Sequence, residues 1–71
     1  MNVERDAEAV YAVLSQRSPS DPADLAAESG VGGRRLEAAV ERLEALGLAE
    51  RRYETGGGVG GYSFSYVRLV G

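Results

Sequence analysis

The apolar residues of this chain change their spacing at Gly47, and that change constrains what the chain can fold into. Before Gly47 they recur every three or four residues, the period of a helix with one buried face. After it they alternate one by one, as in a strand with one buried face. A helical part followed by two neighbouring strands gives an α+β fold whose strands form an antiparallel hairpin. At 71 residues the chain has room for one core, so we take residues 1–71 as a single domain.

The helical part divides into three. Val3, Ala7, Val10 and Leu14 lie on one stripe, widened by Tyr11, and predict a helix from Val3 to about Gln16 with Asn2 as its N-cap. Pro19, in the segment RSPS, breaks it. Asp21 suits an N-cap and Pro22 a first helical position, so PADLAAES reads as a second helix that stops at Gly30. Leu36, Ala39, Val40, Leu43 and Leu46 make the wide stripe of a third helix over 33–46, which Gly47 ends. Gly32 and Gly33 stand where a hydroxyl cap would be expected.

The strands are LAERRYE (48–54) and YSFSYVRLV (62–70). Between them GGGVGG reads as a flexible hairpin loop, since glycine-rich chain is too free for a strand interior. On the second strand Tyr62, Phe64 and Tyr66 share one face and Val67 and Leu69 the other. At least two of the aromatics are expected in the core, because the chain has little other bulk to bury. Facing outward, they would form a partner surface or a stacking platform. A bulge would let the inward face switch along the strand.

Absences narrow the chemistry. There is no Cys and no His, and all eight basic residues are Arg. Disulfides, thiolate zinc sites, histidine bases and lysine chemistry are therefore excluded. The carboxylates form no recognisable acid–base or metal pair, so we expect neither an enzyme nor a cofactor nor a metal. The charged N-terminus has no apolar signal core, and no run is long enough to span a membrane, which predicts a cytoplasmic protein. The net charge of −3 counts against general affinity for nucleic acid.

The order of helix, helix, tight turn, helix and glycine-tipped hairpin resembles the winged helix-turn-helix superfamily. The residues that carry the likeness are LAAESGV (Leu25 to Val31), the stripe Leu36, Val40 and Leu43, the phrase LEALGL (Leu43 to Leu48) and YVRL (Tyr66 to Leu69). The ending is similar to that of MarR-, PadR- and ArsR-like bacterial regulators. In that family Ala26 lets two helices approach and Gly30 takes the turn. The chain departs from the pattern at Ser29, where a hydrophobic or long residue is usual, and at the hairpin tip, which has no basic residue. It also lacks the extra helices that dimerise or hold effectors, so no small-molecule effector is implied.

The resemblance implies a sequence-specific transcriptional regulator that binds double-stranded DNA, with helix 33–46 in the major groove and the wing, 54–62, against the backbone. At 100° per residue, the face of that helix opposite the core centres on Arg34, Ala38, Glu41 and Ala45. Arg35 and Arg42 lie on one flank, Glu37 and Glu44 on the other. The candidate DNA contacts are Arg34, Arg35 and Arg42 on the helix and Arg51 and Arg52 on the first strand, of which only one can face DNA. Arg68 reads as structural. The loop GGGVGG lacks the following helix and the lysine of a phosphate cradle, and reads as a wing tip. The alternative is a protein-interaction module or inhibitor that binds a protein partner, or a second copy of itself (a homodimer), through its acidic or aromatic surface.

Overall fold

The computed structural model describes residues 2–53 and 61–70. Three helices, α1 (Val3–Gln16), α2 (Pro22–Ser29) and α3 (Arg34–Ala45), precede two strands, β1 (Ala49–Arg52) and β2 (Tyr66–Leu69). The strands pair antiparallel, with Ala49 opposite Leu69 and Arg52 opposite Tyr66. This is the α+β layout that the change of period predicts. Most of the glycine-rich loop, and with it the expected wing tip, lies outside the described residues.

Each helix starts where its local chemistry allows. The Asn2 side chain accepts from the N–H groups of Glu4 (3.0 Å) and Arg5 (3.2 Å). Asp21 accepts from the Asp24 N–H at 2.8 Å, and Pro22 follows it as the first residue of α2. Such caps satisfy donors that the helix itself leaves unpaired. Gly30 ends α2 in the left-handed conformation (φ 74°), which glycine adopts without a Cβ penalty. The start of α3 has no side-chain cap. Instead the Gly33 N–H donates to the Tyr62 hydroxyl at 2.7 Å, so an aromatic from beyond the hairpin loop anchors this turn.

The α1–α2 connection also joins the sheet. Ser20 and Val67 exchange backbone hydrogen bonds of 2.9 Å, a single bridge on the edge of β2 away from β1. One core lies between these layers. It takes Ala7, Val10 and Leu14 from α1, Leu25 from α2, and Leu36, Ala39, Val40 and Leu43 from α3. Val31, Ala49, Phe64 and Val67 complete it.

Three details differ from the sequence pattern. The strands are four residues each, shorter than the runs 48–54 and 62–70. Phe64 and Val67 are both fully buried, and Tyr62 packs against the core. A spacing of three between two inward residues cannot be kept by an alternating strand. The chain accordingly reaches β2 through an irregular stretch at 61–65, and the inward face changes within it. Finally, Val3, Tyr11 and Leu46, all on apolar stripes, are exposed, Leu46 by 51%. Among the described residues no helix is long and apolar enough to cross a membrane.

Candidate nucleic-acid interface

The exposed surface of α3 is divided by charge. Leu36, Ala39, Val40 and Leu43 face the core. On one flank Arg35 grips Asp6 of α1 with two hydrogen bonds, Nε to Oδ2 at 3.0 Å and an outer guanidinium nitrogen to Oδ1 at 2.7 Å. One helical turn pair further on, Arg42 meets Glu4 of α1 at 2.8 Å. That contact is a charge contact rather than an aligned hydrogen bond.

The opposite flank carries the reverse sign and holds the hairpin. Glu37 accepts from the Ser63 N–H at 2.9 Å and from the Ser63 hydroxyl at 2.8 Å. Glu44 accepts from the Arg51 N–H at 3.1 Å and pairs with the Arg51 guanidinium at 2.8 Å. The same guanidinium lies 3.4 Å from Glu37 and 3.2 Å from the Ser63 hydroxyl. Arg35 and Arg42 are seven residues apart, as are Glu37 and Glu44, close to two helical turns. Each pair therefore forms a row along one side of α3.

What remains toward solvent is Arg34, Ala38, Glu41 and Ala45, all exposed. Arg34 has no ion-pair or hydrogen-bond partner among the described residues. It lines a shallow surface depression with Gly33, Glu37, Gly61, Tyr62 and Ser63, where the first turn of α3 meets the returning arm of the hairpin.

The five candidate arginines thus have different situations. Arg34 has no partner among the described residues and stands beside the hairpin. Arg35 and Arg42 are engaged with α1, although their side chains remain about half exposed. Arg51 is the most enclosed, 22% exposed, and its charge faces two glutamates. Arg52 points outward, 3.6 Å from Glu50, which also pairs with Arg68. The structure brings Arg34 and the hairpin together, and gives Arg51 to the joint between hairpin and helix.

Four residues outside the candidate set prove to position this surface: Asp6, Glu37, Glu44 and Ser29. The Asp6 carboxyl is buried and held below the usual carboxylate range, first by its hydrogen bonds to Arg35 and then by that residue's charge, against the opposing effect of burial. The same bonds raise Arg35. Ser29 occupies the place where the resemblance expects a longer residue. Its hydroxyl donates to the Leu25 carbonyl and accepts from the Val31 N–H at 3.1 Å, so it ties the turn between α2 and α3. The seven-residue spacing of like charges on α3 was the available signal for the glutamates. Nothing local marks Asp6, whose partner is 29 residues away.

Comparison with protein-family models, with curated proteins and with solved structures returned no match to this chain.

Proposed function

We propose that the chain is a winged helix-turn-helix domain that binds double-stranded DNA in a sequence-specific way and acts in transcriptional regulation. The observation that carries this reading is the solvent face of α3. It holds Arg34, unpaired among the described residues, at the first turn beside the hairpin, and otherwise two alanines and Glu41. Small residues let a helix approach base edges closely, and an alanine methyl suits the thymine methyl. Arg34 has the fork geometry for a guanine edge or a phosphate, and the helix N-terminus beside it favours an anion.

The flanking charges tune that surface. Exposed ion pairs contribute only about 0–1 kcal/mol, so Arg42 and Arg52 can exchange their carboxylates for phosphates at small cost, whereas Arg35 stays with the buried Asp6 carboxylate, which would otherwise be left unpaired. Arg51 is held from two sides and stays with the fold. Glu41 repels phosphate but accepts a hydrogen bond from a cytosine amino group. With a net charge of −3, affinity for arbitrary sequence is low, and useful binding comes from the right bases or a second DNA-bound protein.

A fluorescence titration with a random duplex and with the promoter of the chain's own gene tests this. Arg34→Ala should weaken promoter binding by about 1–3 kcal/mol while leaving the fold intact. Glu41→Gln should strengthen binding to the random duplex. If neither duplex binds at low salt, where arginine–phosphate attraction is strongest, the DNA reading fails. A second reading, a protein-interaction module, is favoured by a different observation: the exposed apolar residues Tyr11, Leu46 and Leu48.

A further inference from the structure

Leu43 lies about 180° round α3 from Arg34, at 100° per residue. There it forms, with Ala7 of α1, the floor of a shallow depression whose walls are Tyr11, Leu46 and Leu48. These three walls are exposed by 38%, 51% and 37%. Val70 adds to the same edge: it is half exposed, and its N–H donates to the Leu48 carbonyl at 3.0 Å. Single exposed apolar residues are ordinary, but here they line one concavity. Tyr11 and Leu46 continue the core stripes of α1 and α3, so the helices carry apolar surface in register that this fold leaves open.

The rim of the depression is acidic. Glu4 and Glu8 line it, and no basic residue does. Glu4 shares its charge with Arg42, whereas Glu8 has no partner among the described residues. Arg5 follows Glu4 in sequence but lies about 100° further round α1, away from the lining. This charge pattern decides between occupants. A second copy related by a two-fold axis would bring the same patch against itself, and Glu8 with its acidic surroundings against the same carboxylates. A chain with apolar residues at helical spacing and cationic residues beside them would meet both floor and rim with complementary chemistry.

We propose that the depression formed by Tyr11, Leu43, Leu46 and Leu48 docks a basic amphipathic helix of another protein, apolar side chains on the floor and arginine or lysine against Glu4 and Glu8. This gives the protein-interaction reading its surface and its partner chemistry. It is independent of DNA binding, which uses the other face of α3.

The test is a chemical-shift titration of the isotope-labelled protein with two synthetic helical peptides. Both carry leucine at i, i+3, i+4 and i+7. One has arginine on the flanks, its twin has glutamate. The arginine peptide should shift the amides of Glu8, Tyr11, Leu46 and Leu48, and its twin should not bind. Leu46→Ser should weaken binding at least about tenfold, the loss expected when a leucine no longer buries its side chain. Glu8→Gln should weaken it about two- to five-fold. Tyr11→Ser serves as a second variant should Leu46→Ser unfold, with a thermal melt of each as the control. Equal binding of the two peptides, shifts centred elsewhere, or no binding by either overturns the proposal. So does sedimentation showing a wild-type dimer that Leu46→Ser converts to a monomer, because the occupant is then a second copy. A random-duplex titration of Leu46→Ser, expected to match wild type, keeps failure here distinct from failure of the DNA reading.

Discussion

Asp6 ties α3 to α1 through Arg35. It is a buried carboxylate, and Arg35 satisfies both of its oxygens. Its folded-state titration lies below the unfolded one, so its contribution to stability is present above the unfolded value near 3.9 and is lost as pH falls through the lower folded value. Asp6→Asn keeps the shape and removes the charge. It should therefore melt at a lower temperature than wild type at neutral pH, with the gap closing on acidification below about pH 4. Thermal melts of both proteins across that range check this, and a pH-independent gap would mean that packing rather than charge explains the site. The candidate arginines themselves were legible in the sequence as residues off the core stripe. Their partners were not, because Asp6 to Arg35 and Glu37 to Ser63 are contacts between distant segments, and residue type alone does not specify which carboxylate a guanidinium will meet.

At the scale of elements, α3 acts as the keel of the structure. Its apolar stripe enters the core, its arginine row faces α1, and its glutamate row faces the hairpin. Leu43 is near the centre of that arrangement and is 2% exposed. Leu43→Ala should cost ~2–5 kcal/mol, the range for a truncated buried leucine. Because a domain of this size has total stability of about that magnitude, the variant should be largely unfolded by urea titration or circular dichroism at 37 °C. The helices were readable nearly to the residue, since their limits are set by local chemistry at Asn2, Asp21, Gly30 and Gly47. The strands were readable only in place and direction. Alternation in YSFSYVRLV suggests one long strand, but Phe64 and Val67 are both claimed by the core, and strand geometry survives only from Tyr66. The aromatic face was half legible for the same reason. Phe64 is core, Tyr62 packs on it with ring centroids 5.7 Å apart, and Tyr66 is half-buried. The anchoring of Gly33 by the Tyr62 hydroxyl has no local signature at all.

At the scale of the whole molecule, the chain separates two surfaces on α3: a small-residue face with Arg34, and an apolar depression with an acidic rim. Most of its positive charge is engaged internally, which sets how DNA binding should respond to salt. Each phosphate neutralised contributes a slope of about −0.9 to log affinity against log salt. With Arg34 unpaired among the described residues, Arg35 and Arg51 held, and Arg42 and Arg52 exchanging partners at a cost, about one to three phosphates are within reach. A shallow slope of about −1 to −3 is expected per bound protein. A much steeper slope would require the Arg35 and Arg51 pairs to open on binding as well. The most direct measurement of the central claim is where DNA touches the protein. We would titrate the isotope-labelled chain with a short duplex at low salt and follow its backbone amides. The account predicts shifts concentrated at Gly33, Arg34, Ala38, Glu41 and the adjoining Gly61 to Ser63, with Tyr11, Leu46 and Leu48 unmoved. Shifts centred on the Tyr11–Leu46–Leu48 depression, or none anywhere, would contradict it.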